Sequence, residues 1–263
     1  MTVADAPYRF VADAPYRLVA DAPYRFVADA PYRWVADAPY RWVADAPLWS
    51  GRQVGGNWDV IWYYTLQHLR YTLVAVAIGL VLALPAGYLA VRHRGVYPVL
   101  LVVTNVIYAV PALTLFVILA PALGYTNDKP IVVAMALYSL VILVRNLVES
   151  IRSVPEPVIR AAEGMGYRPW RRFLGVEVPL ALPGVVAGLR LATVSTVSLI
   201  SVGAIIGRGA LGRMFSDGFQ RRINTEIWAA LIAVIVLALV LDLVIYLIGR
   251  FATPWTRVRE AKG

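Results

Sequence analysis

The sequence of 263 residues lacks cysteine and has few lysines and histidines. Without cysteine, disulfide bonds and thiolate chemistry are excluded. The only lysines, Lys129 and Lys262, stand in no GxxxxGK[ST] pattern, so the chain has no phosphate-binding P-loop and we expect no ATPase site of its own. His68 and His93 are far apart, with no carboxylate at ligand spacing, which disfavours a metal site. We interpret both histidines as interfacial side chains near helix ends.

Apolar residues are abundant, at 60% of the chain with a mean hydropathy of +0.66, which is too apolar for a soluble domain of this size. The second apolar run, residues 96–127, is broken by Pro98, Pro111 and Pro121, and the third, residues 130–144, leads into Arg145. The aromatic segment 58–69 fits an interfacial helix before the first run. The runs predict an all-α, polytopic membrane protein with about five transmembrane helices, over residues 72–91, 96–127, 130–144, 183–206 and 227–248.

The net charge of +9 and pI near 9.9 are compatible with nucleic-acid binding, but the positions of the charges favour a membrane topology instead. With the N-terminus outside, the inner segments carry eleven basic residues: Arg92, Arg94, Arg152, Arg160, Arg168, Arg171, Arg172, Arg250, Arg257, Arg259 and Lys262. The outer loops carry five: Lys129, Arg208, Arg213, Arg221 and Arg222. This bias follows the positive-inside rule, although the outer loop 207–226 is more basic than the rule favours. We expect an extracytoplasmic N-terminus, a cytoplasmic C-terminus and no nucleic-acid partner.

The chain divides into three parts by composition. Residues 1–51 are a tandem octapeptide repeat in which VADAPYR recurs from Val3 to Val35, each copy followed by Phe, Leu or Trp. A proline every eight residues interrupts any helix, and no copy has enough apolar surface for a core, so we expect a disordered or loosely extended tail. The alternative is aromatic contact with lipid headgroups. Residues 52–256 are the predicted transmembrane domain, and residues 257–263 a cytoplasmic tail.

Two ionisable side chains, Arg190 and Asp242, lie inside predicted spans. A charge at the centre of a membrane helix costs roughly 2.5–3.5 kcal/mol on insertion scales. Both lie about 10 Å above the inner helix ends at 1.5 Å per residue, so we predict that they pair, or that each finds a polar partner at that depth. The alternative is that both snorkel to the inner interface. Polar side chains of the second helix either line a solute pathway or make interhelical hydrogen bonds; they are Asn105, Tyr108 and Thr114.

A charged loop over residues 160–183 joins the third and fourth predicted helices. Pro157 suits the first turn of a helix, and residues 158–165 have room for two turns. Gly166 has the freedom to adopt the left-handed conformation that ends them, and Pro169 starts a second short helix. The loop is therefore a candidate docking element for a partner, the alternative being an ordinary amphipathic connector lying on lipid.

The same loop resembles the cytoplasmic loop of binding-protein-dependent ABC importer permeases, whose pattern is EAA, three residues, G, nine residues and I-x-L-P. The matching positions are Ala161, Ala162, Gly166, Val176, Val178 and Pro179, while Arg160 stands where the pattern has glutamate. In that family this loop docks on the ATPase. The resemblance therefore implies an ATPase-coupling site at Arg160, Ala161, Ala162, Gly166 and Pro179.

The wider resemblance covers about residues 67–254. It includes LALPAGYLAVR at the end of the first helix, VPALTLF in the second, RNLVESIRSVPEPVIRAAEGMG leading into the loop, and the glycine-rich GAIIGRGALG at 203–212. These segments look most like permeases of the osmoprotectant branch, which carry glycine betaine, carnitine or choline. Taken alone, the glycine-rich stretch is also compatible with a plain loop.

The resemblance implies a set of partners and a location. The partners are a separate ATPase subunit, an extracytoplasmic substrate-binding protein, a second permease subunit (identical or different) and the lipid of the bacterial plasma membrane. Because the ATPase subunit binds the ATP, we expect this chain to need no cofactor. The alternatives are a self-contained channel or secondary transporter for a small solute, and an ABC permease for another substrate such as an amino acid. A channel would need a continuous polar path, whereas the sequence has few intramembrane charges and a prominent loop.

Deleting residues 1–49 should leave the assembly and transport of the complex nearly unchanged, because the octapeptide copies have too little apolar surface to contribute to a core. The measurement is the yield of assembled complex and its solute uptake, compared with those of the full chain. Loss of folded complex would show that the repeats have a structural role.

Overall fold

The computed structural model describes residues 48–124 and 127–256. The octapeptide copies before Leu48 and the predicted cytoplasmic tail lie outside the described residues. Within them the secondary structure is helical and no strand occurs, which confirms the all-α fold class. The helices are α1 Gly51–Gly56, α2 Trp58–Arg92, α3 Val96–Ala109, α4 Ala112–Leu123, α5 Lys129–Arg152, α6 Glu156–Gly164, α7 Pro169–Arg172, α8 Val178–Val202, α9 Leu211–Arg221 and α10 Asn224–Ala252.

Four stretches of the described chain are long and apolar enough to cross a bilayer: α2, α5, Pro169–Ile206 (which includes α8) and α10. The predicted second span is instead the pair α3 and α4, bent by 94°, so five spans result only if this pair is one broken span. Pro111 causes the break. It offers no backbone N–H, and its ring holds Val110 in an extended conformation at φ −70° and ψ 125°.

Helix α2 is longer than predicted, with 35 residues. The aromatic segment expected to lie along the interface forms its first turns, because no proline precedes Pro85 and nothing breaks the helix before the span. As a result His68, interpreted from the sequence as interfacial, is fully buried, and its Nε2 lies 2.9 Å from the carbonyl oxygen of Val197 in α8. His93, by contrast, caps the exposed end of α2.

Helix α5 is the centre of the bundle, with α2 and α8 packed against it. In the most apolar 18-residue stretch of α5, 61% of the residues are buried within the chain, whereas in that of α10 only 11% are buried. The surface of α10 is therefore available to lipid or to another subunit. Small residues allow the close approach of α5 to its neighbours. A Cβ placed on Gly79 or Gly87 of α2, or on Gly184 or Gly188 of α8, would collide with side chains of α5, namely Ser139, Leu147, Ser150 and Asn146 respectively.

The two ends of the bundle can be distinguished by their contacts. At one end, the ring of Tyr88 near the end of α2 lies 4.7 Å from the ring of Trp170 and 5.0 Å from that of Phe173. The end of α2 and the loop between α5 and α8 are therefore on the same side. At the other end, Asp128 accepts hydrogen bonds from Tyr71 of α2 and from Arg208. This contact joins α2, the start of α5 and the glycine-rich loop.

Replacing Gly79 by alanine should destabilise the bundle by about 1–3 kcal/mol, the usual cost of overpacking a closely packed contact. The added carbon would lie 2.2 Å from Oγ of Ser139. Combining Gly79→Ala with Ser139→Ala should recover part of the loss. The control is Gly95→Ala, where nothing lies within 4 Å of the new carbon. The measurement is the thermal unfolding of the detergent-purified protein, and equal melting of the Gly79 and Gly95 variants would contradict the packing argument.

Candidate functional site

The predicted docking helix of the loop exists as α6, Glu156–Gly164. It starts after Pro155 in an extended conformation, with Pro157 in its first turn, where a missing N–H costs no hydrogen bond. Gly166 has φ +80°, and the N–H of Tyr167 donates to the carbonyl oxygen of Ala162 at 3.1 Å. This left-handed turn reverses the chain after α6, because glycine adopts it without the steric cost of a Cβ.

The two alanines of α6 face different directions. Ala162 is 1% exposed and packs within its own subunit, whereas Ala161 and its neighbour Arg160 are exposed. Of the two alanines in the predicted coupling site, Ala161 therefore lies on the exposed face of α6 and Ala162 does not. Arg160 makes no hydrogen bond or ion pair with the described residues, so its guanidinium is available to a partner. Pro179, the last predicted coupling position, lies in the first turn of α8.

An ion-pair bridge connects α6 to the start of α8. Nε of Arg172 lies 2.6 Å from Oε1 of Glu177, and the same guanidinium donates to the carboxylate of Glu163 in α6. Glu177 is 2% exposed and belongs to the π-helical turn Phe173–Glu177 that leads into α8. Charge-assisted hydrogen bonds of this kind are strong and directional, so the bridge fixes α6 to α8. The bridge was not predicted from the sequence, in which its only indication is the opposite charges on either side of the Gly166 turn.

The two ionisable residues inside the spans are brought together. Nε of Arg190 in α8 lies 2.7 Å from Oδ1 of Asp242 in α10, and Nη2 lies 2.7 Å from Oδ2. The arrangement is bidentate, and the ring of Tyr246 lies 5.2 Å from the guanidinium carbon. In the isolated subunit the Arg190 side chain is 37% exposed, so the pair lies at the surface of the α8–α10 contact and not in the core.

The predicted pathway residues fall into two places. Asn105 and Tyr108 are exposed on α3, whereas Thr114 is on α4, beyond the 94° bend. Asn105 accepts a hydrogen bond from Arg145 of α5. The ring of Tyr108 lies edge-on, 5.6 Å from the ring of Tyr138 in α5. This contact of Arg145 was not predicted from the sequence, in which Arg145 only follows the third apolar run.

The glycine-rich segment packs against the end of α8 in its own chain. Gly207 and Gly209 have positive φ, and a Cβ on Gly209 would lie 2.7 Å from the carbonyl oxygen of Ile200. The close approach permitted by these glycines is therefore internal. Three of the five basic residues predicted for the outer loops form ion pairs, Arg208 with Asp128, Arg213 with Asp217 and Arg221 with Glu226. The high basic content of this region thus has a structural cause.

Removing either partner of the Arg190–Asp242 pair should destabilise the subunit more than removing both. Arg190→Leu or Asp242→Leu would leave a lone ion in a low-dielectric region, whereas the double variant leaves none. We expect the double variant to unfold at a temperature between that of the wild type and those of the single variants. The measurement is a double-mutant cycle on thermal unfolding in lipid nanodiscs, and additive effects would contradict a coupled pair.

Comparison with known proteins places this arrangement in a family. Residues 75–258 match the family model described as binding-protein-dependent transport system inner membrane component. The chain is 30% identical over 194 residues to the osmoprotectant import permease protein OsmW of Salmonella typhimurium, with 72% of this chain and 90% of that protein covered. It is 31% identical over 198 residues to the carnitine transport permease protein OpuCB of Listeria monocytogenes, with coverages of 75% and 90%.

The fold has solved counterparts. A chain of the MetNI methionine ABC transporter in an inward-facing conformation superposes with a TM-score of 0.68 at 20% identity, covering 75% of this chain and 98% of that one. The helical fold of this chain is therefore one found in ABC transporters. Together with the family match over most of the membrane domain, this shows that the chain belongs to the binding-protein-dependent inner membrane components, the permease subunits of ABC importers.

Proposed function

We propose that this permease imports compatible solutes that carry a quaternary ammonium group, such as glycine betaine, carnitine or choline. The observation that carries the proposal is the similarity of the membrane domain to several permeases whose names specify these solutes or osmoprotectants, in Bacillus subtilis, Listeria monocytogenes and Salmonella typhimurium. The polar and aromatic side chains on the α3–α5 face are compatible with a small charged solute.

In the proposed complex, α6 docks on a separate ATPase subunit that binds and hydrolyses the ATP. The exposed Ala161 permits close approach, and Arg160 adds a positive charge where the family pattern has a negative one. This charge favours an acidic position in the groove of the ATPase. Movement of α6 reaches α8 through the Arg172 bridge to Glu177. Helix α8 is in turn held to α10 by the Arg190–Asp242 pair, so these parts move together.

The orientation follows from the loop. If α6 meets the ATPase in the cytoplasm, the end of α2 is cytoplasmic as well, because Tyr88 contacts Trp170. The end of α10 is on the same side, since a Cβ on Gly249 would touch Val186 near the start of α8. The start of α2 and the α9 region then face outward, where a substrate-binding protein delivers the solute. A second permease subunit completes the pathway.

The experiment is reconstitution of the permease in proteoliposomes with its ATPase and binding protein. Uptake of labelled glycine betaine, carnitine, choline and, for comparison, methionine is measured. ATP-dependent import of the quaternary ammonium compounds without import of methionine supports the proposal. Import of methionine alone would refute the proposed substrate class, and import without ATP or ATPase would refute the coupled mechanism.

In the same system Ala161→Asp and Gly166→Val should reduce solute-stimulated ATP hydrolysis to the basal rate, while insertion into the membrane persists. The first change puts a charged side chain on the docking face, and the second forces a β-branched residue into a left-handed turn. Gly95→Val is the matched control, because Gly95 has negative φ and open space around it. Wild-type coupling in both α6 variants would remove the basis of the docking site.

A further inference from the structure

The membrane domain contains an arginine without an acidic partner. Arg145 lies in α5, about two turns before its end, and its described contact is the hydrogen bond from Nη2 to Oδ1 of Asn105. Its Nε is buried and has no acceptor among the described residues. Five other arginines of the described residues have carboxylate partners, namely Arg172, Arg190, Arg208, Arg213 and Arg221. Arg145 is therefore a cation whose counter-charge the described part of the subunit does not supply.

A cation at this depth is costly unless it faces a polar cavity or pairs with an anion. The α3 surface beside Arg145 is not covered by the rest of the subunit, since Val102 and Val106 are 63% and 61% exposed. This surface carries Asn105, which orients the guanidinium, so Arg145 and Asn105 present a polar position on an otherwise apolar helix pair. A carboxylate is the group that a guanidinium binds with the best geometry, through two parallel hydrogen bonds.

An aromatic position lies next to this polar one. Tyr108 follows Asn105 by three residues, so the two share a face of α3 about 4.5 Å apart along the helix axis. Tyr108 is 54% exposed, and its ring is supported edge-on by Tyr138, whose hydroxyl donates to the carbonyl oxygen of Val110. The exposed face of an aromatic ring attracts a quaternary ammonium group. The ring and the guanidinium are thus separated by roughly one helical turn.

We propose that Arg145, held by Asn105, and Tyr108 form a solute-binding station on the α3–α5 face that recognises zwitterions, with the carboxylate on Arg145 and the quaternary ammonium on the ring. The proposal rests on the proposed function and narrows it. Among quaternary ammonium solutes, those with a carboxylate, such as glycine betaine and carnitine, use both positions. Choline has no carboxylate and uses the ring alone.

The test compares glycine betaine and choline uptake in the reconstituted complex, for the wild type and for Arg145→Gln. Each solute is referred to its own wild-type rate, so the preference of the unchanged binding protein cancels. We expect glycine betaine uptake below saturation to fall by at least about tenfold, the equivalent of a lost charge-assisted hydrogen bond. Choline uptake should change by less than about twofold. Arg52→Gln, the same substitution at an exposed arginine in α1, should leave both rates unchanged.

A second pair of variants tests the ring of Tyr108 independently. These variants still test the ammonium position if Arg145→Gln fails to insert into the membrane. Tyr108→Phe keeps the aromatic face, whereas Tyr108→Leu removes it. We expect uptake of both solutes to be retained in the first variant and reduced by about fivefold or more in the second, consistent with loss of a cation–π contact.

The outcomes separate this inference from the proposed function. If the wild type imports glycine betaine but Arg145→Gln affects both solutes equally, or neither, the carboxylate position is wrong and the proposed function stands. If Tyr108→Leu behaves as Tyr108→Phe does, the ammonium position is wrong. If the wild-type complex imports neither solute, the proposed function fails and this inference fails with it.

Discussion

Ionised side chains that are partly removed from water are stabilised by partners of opposite charge, and two such contacts fix connections between the helices. Arg190 and Asp242 join α8 to α10 by two hydrogen bonds of 2.7 Å. Arg172 joins α6 to α8 through Glu163 and Glu177, the latter being 2% exposed. A buried ion pair contributes little net stability, but breaking it leaves an unpaired charge, so such contacts specify geometry more than they add free energy.

Close helix packing makes these connections mechanically effective. Gly79 and Gly87 bring α2 against one face of α5, and Gly184 and Gly188 bring α8 against another. Lipid gives no hydrophobic driving force between helices, so contacts of this kind depend on shape and on the approach that small residues allow. A closely packed three-helix unit does not deform continuously. In the proposed mechanism, a push on α6 would therefore displace α8 and α5 as rigid elements.

The spans were predictable because an apolar run of about twenty residues with almost no charge is typical of a helix that crosses a bilayer. The Gly166 turn was predictable because few residues other than glycine adopt positive φ readily. The 94° bend at Pro111 was not, since a proline in an apolar run is compatible with either a kink or a break. The burial of His68 and Ala162 depends on which face of each helix meets its neighbours, and a single sequence does not define that. The Arg172 bridge likewise depends on the direction in which the chain leaves the turn.

The central helix α5 connects the loop that carries α6 to the polar α3–α5 face. α5 ends at Arg152, and only Ser153–Pro155 separate it from α6, so the two helices share a short, hydrogen-bonded junction in which the N–H of Ser153 donates to the carbonyl oxygen of Glu149. Arg152 also lies over the ring of Tyr97 in α3, with its guanidinium carbon 4.1 Å from the ring centre. Arg145 lies about two turns before Arg152 on the same helix and contacts α3 at Asn105. A tilt of α5 driven from α6 would therefore change the separation of α5 and α3 at both levels. Such a movement would alter the position of Arg145 relative to Tyr108 without breaking the glycine contacts that hold α2 and α8. In the proposed mechanism, α5 thus links the loop at its C-terminal end to the polar face two turns earlier, and a change of shape at the loop would change the affinity of that face for the solute.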